Sequence, residues 1–128
     1  MKCSWGIVVA AAIALVGCIP PQIPTMNVAA VPPSERAAAA KVRVFPPGAA
    51  TEPTDFDYVG PVEGNSCKHL LWDPPASQSD ALEQMRINAL RMSATAVMDF
   101  TCTMASTDVY GTNCWNSVHC GGTAVRTK

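Results

Sequence analysis

Charge is scarce in this chain. Lys and Arg total 9 against 10 Asp and Glu in 128 residues, a formal net charge of −1. Setting aside the first 17 residues removes one lysine and no acid, so the remainder carries −2. No basic stripe is left with which to grip a nucleic-acid backbone. Also missing is an apolar run long enough to cross a bilayer: Gly6 to Val16 has 11 residues, where a spanning helix needs about 20. The six cysteines include no Cys-x-x-Cys pair, so the usual zinc spacings and the close dithiol of a redox enzyme are both absent. His69 and His119 stand in no pattern with a nucleophile, and His69 reads as a solvated loop residue. Catalysis, a cofactor and a bound metal are therefore not expected. At this length there is room for one small domain with accessories, not two.

What the chain does have begins at its start. Met1 and Lys2 give a short positive lead, the 11-residue apolar run follows, and Leu15-Val16-Gly17-Cys18 closes it. That order is the pattern of an export signal, and its last four residues resemble the bacterial lipobox. The small residues suit a narrow peptidase site, and the thiol is the nucleophile available for lipid transfer. Residues 1–17 are thus expected to be a lipoprotein signal peptide, with Cys18 the lipidated first residue of the mature chain. Lipoproteins of this type carry three fatty-acyl chains of the palmitate class, and two already anchor stably, at about 0.8 kcal/mol per buried methylene. Ile19 is not the aspartate that commonly retains lipoproteins at the inner membrane, so the expected address is the outer membrane.

Residues 18–41 hold Pro20, Pro21, Pro24, Pro32 and Pro33 among alanines and polar residues, without sustained periodicity. This stretch reads as a disordered tether. Ser34 to Lys41 has the makings of a turn or two of helix, but isolated helices under about 12 residues are marginal. From Ile19 to Lys41 the tether spans about 70 Å as polyproline II and about 25 to 30 Å as a flexible coil.

Residues 42–128 are expected to form the folded unit. Val42 to Phe45 is a β-rich run stopped by Pro46-Pro47-Gly48. Phe56 to Val62 is a second strand candidate, with Pro61 belonging on an edge or at a bulge. Asp80, followed by Glu83, caps a helix running to about Ser93, with Ser77 or Ser79 as alternative starts. Leu82, Met85, Ala89 and Met92 line one side of it, widened by Ile87 and Leu90. The methionines read as core filling rather than a copper site. Ala96 to Cys102 and Thr123 to Arg126 are further strands, separated by a loop, Thr103 to Gly122. Together these predict an α+β fold: a small mixed or antiparallel sheet of about four strands with one covering helix. A core of this size has limited stability by itself.

Cys67, Cys102, Cys114 and Cys120 remain beyond the anchor and Cys3. An even number in an exported chain implies two disulfides, and spacing does not choose among the three connectivities. Ser66, Asp55, Asp57 and Glu63 suggest a solvated rim at most.

Several of these residues together resemble a known family. The Val42-Arg43-Val44 strand is one match; Val62-Glu63-Gly64-Asn65-Ser66-Cys67 looks like a Gly-x-Ser-Cys turn. Met85-Arg86-Ile87-Asn88-Ala89 with Arg91-Met92, the Ala94 to Cys102 strand, and Cys114 with Cys120 complete it. In this the chain is similar to the RcsF family, outer-membrane sensor lipoproteins of the Rcs envelope-stress phosphorelay. The resemblance implies bridges Cys67 to Cys114 and Cys102 to Cys120, an interleaved pattern that calls for a disulfide isomerase. It implies a non-catalytic sensor, held by outer-membrane β-barrel proteins in an intact envelope and contacting an inner-membrane regulator of the phosphorelay under stress. Arg36 and Lys41 are the only basic residues of the tether, fewer than the family leads one to expect. The rival reading is a structural or assembly lipoprotein that binds β-barrel proteins without signalling.

Overall fold

The computed structural model describes residues 26–105 and 114–128. A 3-10 turn at Val28–Ala30 is followed by helix α1 (Pro33–Ala39), strand β1 (Arg43–Val44), strand β2 (Phe56–Lys68), helix α2 (Gln78–Arg91), strand β3 (Ala96–Ala105) and strand β4 (Asn116–Thr127). The strands form one mixed sheet in the order β1-β3-β4-β2, with β1 parallel to β3 and the other two pairings antiparallel. The expected α+β class and four-strand sheet are what the chain adopts.

The strands are longer than the residues suggested. β2 continues through Gly64 to Lys68, so the run read as a Gly-x-Ser-Cys turn is extended and paired with β4. The expected loop Thr103 to Gly122 contains the end of β3 and more than half of β4. Pro61 does lie in an edge strand, two residues past a bulge at Val59 where Tyr58 and Gly60 face Val125 and Ala124; there its missing N–H is tolerated.

α2 crosses the sheet at Gly64. A Cβ on that residue would drive into the Ala81 carbonyl and the Met85 amide, so glycine is what lets the helix backbone approach the strand this closely. Ala81, Met85 and Ala89, at helical spacing and fully buried, face Val62, Val97, Val118, Cys120 and Ala124 to form the main core. Phe45, Ala96, Met98 and Val125 form a smaller cluster with Ala49 and Phe56.

The helix is capped at both ends by chain-local chemistry. Ser77 rather than Asp80 is the N-cap, its Oγ accepting from the Asp80 amide at 3.2 Å, while Asp80 accepts from Gln84 Nε2 at 3.1 Å. At the other end Ser93 adopts φ 61°. Its amide donates to Leu90 O at 2.8 Å and that of Ala94 to Ala89 O at 2.9 Å. These are the two reversed bonds of a Schellman ending, with serine where glycine is usual.

The tether reading fails for its second half. Val28, Val31 and Ala39 are buried against Ile87, with Met26 and Leu90 beside them, and the Met26 amide donates to the buried Gln84 Oε1 at 3.3 Å. Arg36 pairs with Glu83 at 2.8 Å and Glu35 with Arg91 at 2.7 Å. Prolines suggested disorder because no single period runs through the segment. It changes from 3-10 turn to extended to α-helix, and each piece needs only one or two apolar contacts to α2. The folded unit therefore starts near Met26, not Val42.

Candidate functional site

Two disulfides fasten the sheet. Cys102 and Cys120 are directly opposed on β3 and β4, with Cα atoms 4.1 Å apart. Cys67 near the end of β2 joins Cys114 just ahead of β4, with Cα atoms 5.5 Å apart. These are the pairings the family resemblance implied. They close loops of 47 and 18 residues in sequence, which in the chain-entropy model stabilises by about 4 and about 3 kcal/mol, as upper figures because the loops overlap.

The Cys67–Cys114 end of the sheet carries the chain's most distinctive chemistry. His69, Cys67 and Cys114 have ligand atoms within 4.8 Å of one another, a grouping invisible in the sequence because Cys114 is so distant from the other two. The two sulfurs are bonded to each other, so neither is the thiolate that a metal site requires. Ser66, expected on a solvated rim, is buried, and its Oγ accepts from the Ser77 amide at 3.1 Å, tying α2 to β2. His119 Nδ1 lies 2.6 Å from Asn65 Oδ1 across the β2–β4 pair. A cleft of about 610 Å³ opens here, between the chain at Met26 to Ala29, the start of α2, and the segment His69 to Pro75.

Leu70, Leu71 and Trp72 project from a turn that Asp73 holds. The Asp73 carboxylate accepts from the amides of Leu70 at 2.9 Å and His69 at 3.3 Å, and the Asp73 amide donates to Leu70 O at 3.1 Å. At the same end of the sheet the Trp115 amide donates at 2.8 Å to the carbonyl of Lys68, the last residue of β2 and two residues ahead of Leu70. All four side chains are exposed, Leu71 by 67% and Trp72 by 80%. An isolated Leu-Leu-Trp run does not disclose its exposure in sequence, because the same residues serve equally in a core. Cys18 lies outside the described residues.

The comparison with family models supplies the decisive observation: that for the RcsF lipoprotein matches residues 20–128. The chain belongs to the RcsF lipoprotein family. The match includes the segment from Met26 to Lys41 that docks on α2, as well as the sheet and both disulfides. No curated protein matches the chain. Among solved structures, a protein of unknown function of the DUF74 family from Pediococcus pentosaceus is similar over 68% of this chain and 98% of that one, with 14% identity and a TM-score of 0.49. Among the described residues no helix is long and apolar enough to cross a membrane.

Proposed function

We propose that this RcsF-family chain is an outer-membrane lipoprotein, anchored through acylated Cys18, that senses envelope stress and activates an Rcs-type phosphorelay through protein contacts. The observation that carries the reading is the family match over nearly the whole chain. Leu15-Val16-Gly17-Cys18 and the apolar run before it supply the anchor, and Ile19 supplies the outer-membrane address. In this reading the β-barrel proteins of the outer membrane hold the domain while the envelope is intact. An inner-membrane regulator of the relay is the contact it makes under stress. The domain then acts by where it is held, not by a reaction.

The test is relocation. Ile19→Asp places the retention signal after Cys18 and is expected to switch a relay reporter on without stress in a host that has the relay. A reporter that stays off, with the relocated lipoprotein present at the inner membrane, leaves the structural or assembly lipoprotein as the better reading. Cys18→Ala is expected to abolish incorporation of labelled fatty acid, and label persisting on that variant removes the anchor from the proposal.

A further inference from the structure

We propose that Leu70, Leu71, Trp72 and Trp115 form a membrane-resting surface, which lies in the interface of the bilayer that holds the chain's own anchor. The inference rests on the anchor at Cys18 and goes beyond the sensor reading, which concerns protein contacts.

The first observation is where the chain leaves the domain. Because Met26 to Ala39 packs on α2, the path from the anchor to the docked chain is the eight steps from Cys18 to Met26, not the 23 from Cys18 to Lys41. Eight residues span at most about 29 Å even when fully extended. The second observation is which end Met26 occupies. Met26 to Ala29 line the same cleft as Cys67, His69, Asp73 and Pro74. The start of α2 is there too, with Ser77 bound to Ser66. The short connection therefore departs from the end of the sheet that carries the exposed apolar side chains, and it draws that end toward the lipid.

The third observation is the chemistry of the patch. Two tryptophans and two leucines stand in water at one sheet end, exposed by 80% at Trp72, 67% at Leu71, 59% at Trp115 and 47% at Leu70. An exposed cluster of this kind marks an interaction surface, and tryptophan with its apolar ring and polar N–H suits the headgroup level of a bilayer. The turn is not a loose loop, because Asp73 fixes the His69 and Leu70 amides and so holds the three side chains outward.

The three tryptophans of the chain are Trp5, Trp72 and Trp115, so from Cys18 onward the only indoles are in the patch and intrinsic fluorescence reads it directly. The chain from Cys18, which keeps every residue of the described fold, has one thiol outside the disulfides. It can be coupled through that thiol to maleimide lipid in phosphatidylethanolamine–phosphatidylglycerol vesicles, some carrying brominated acyl chains. This chemical anchor works whatever the cell does at Cys18, so the patch is tested apart from the lipoprotein reading. The expected result is a blue-shifted emission and loss of most of the tryptophan signal to bromine when the protein is coupled. Leu70→Asp with Leu71→Asp keeps both indoles and is expected to restore the emission of the free protein. Emission of the coupled protein that is unshifted and unquenched, or quenching that the double variant leaves intact, overturns the proposal. A shift that needs protein at dimerising concentration but no lipid does the same and assigns the patch to a second copy.

Discussion

The sheet and the N-terminal segment share one helix and are held to it in different ways. On one side of α2, Ala81, Met85 and Ala89 lock into a sheet whose strands are cross-linked by two disulfides. On another, Ile87 and Leu90 hold residues 26–39 through Val28, Val31 and Ala39, two partly exposed ion pairs and one backbone bond to Gln84. The first region is covalently fastened, and the second is held by non-covalent contacts alone. The difference has a functional scale. If Cys18 carries the proposed anchor, docking leaves eight steps from it to Met26, whereas release of the segment would leave 23 steps to Lys41, at most about 80 Å. In the proposed lipoprotein a few apolar contacts on the back of a helix would set reach, while the sheet and its disulfides set the fold.

The largest effect is expected in the sheet. Replacing Cys67 and Cys114 by alanine should lower unfolding stability by about 4 kcal/mol and the Cys102, Cys120 pair by about 3, if loop closure dominates. Urea titration of the two double variants checks this. Cys120 is fully buried between strands, so a larger loss at Cys102–Cys120 would show that packing outweighs loop length.

Next comes the segment. Ile87 is fully buried, and Ile87→Ala should cost about 2 to 5 kcal/mol. If the two regions are separable, most of that cost falls on the docked segment. Native-state hydrogen exchange should then show faster exchange at the amides of Val31, Arg36 and Ala40, which bond within the segment, while β3 and β4 amides keep their protection. Equal loss at all of them would make the domain one cooperative unit.

A stabilising change on the shared helix gives the third comparison. Ser93 sits at φ 61°, a conformation that costs a side chain about 1 to 2 kcal/mol. Ser93→Gly should raise stability by about 0.5 to 1 kcal/mol after glycine's greater freedom in the unfolded chain is counted. The rise should appear in both regions by hydrogen exchange, because both lean on α2. A rise confined to the sheet would mean that the segment opens independently of the helix end.

These contrasts also explain what the residues disclosed beforehand. α2 was legible because Leu82, Met85 and Ala89 repeat at helical spacing. β3 was legible in its first half because Ala96 to Cys102 is a β-rich run. Most of β4 looks like loop in sequence because Asn116, Ser117, Gly121 and Gly122 are turn formers. Gly122 is glycine for another reason: a Cβ there would lie 2.7 Å from Val97 Cγ1 and 2.9 Å from Met98 O, beside the bulge at Asp99 and Phe100 in β3. Close strand packing and a turn leave the same mark in sequence. The docked segment was missed because its three buried residues fall in three different backbone conformations. The disulfide pairing came from the family resemblance, since the residues alone left three choices open. The patch was missed because nothing local distinguishes exposed Leu70 to Trp72 from core.

The smallest effect is expected from the charges that join α1 to α2. The pairs Glu35–Arg91 and Arg36–Glu83 are short, at 2.7 and 2.8 Å, but all four side chains keep substantial contact with water. Exposed pairs of this sort contribute about 0.2 to 1 kcal/mol and are screened by salt. Glu35→Gln should therefore weaken docking of the segment by no more than about 0.5 kcal/mol, and moving from low to high salt should produce a similarly small rise in exchange at Arg36 and Ala40. Ile87→Ala, in the same assay, should exceed it several-fold. The two results together assign the strength of docking to Val28, Val31 and Ala39 on Ile87 and leave the ion pairs the role of setting the helix register. If Glu35→Gln instead frees the segment as fully as Ile87→Ala, the clasp is electrostatic, and the length of the leash would then vary with the ionic strength around the domain.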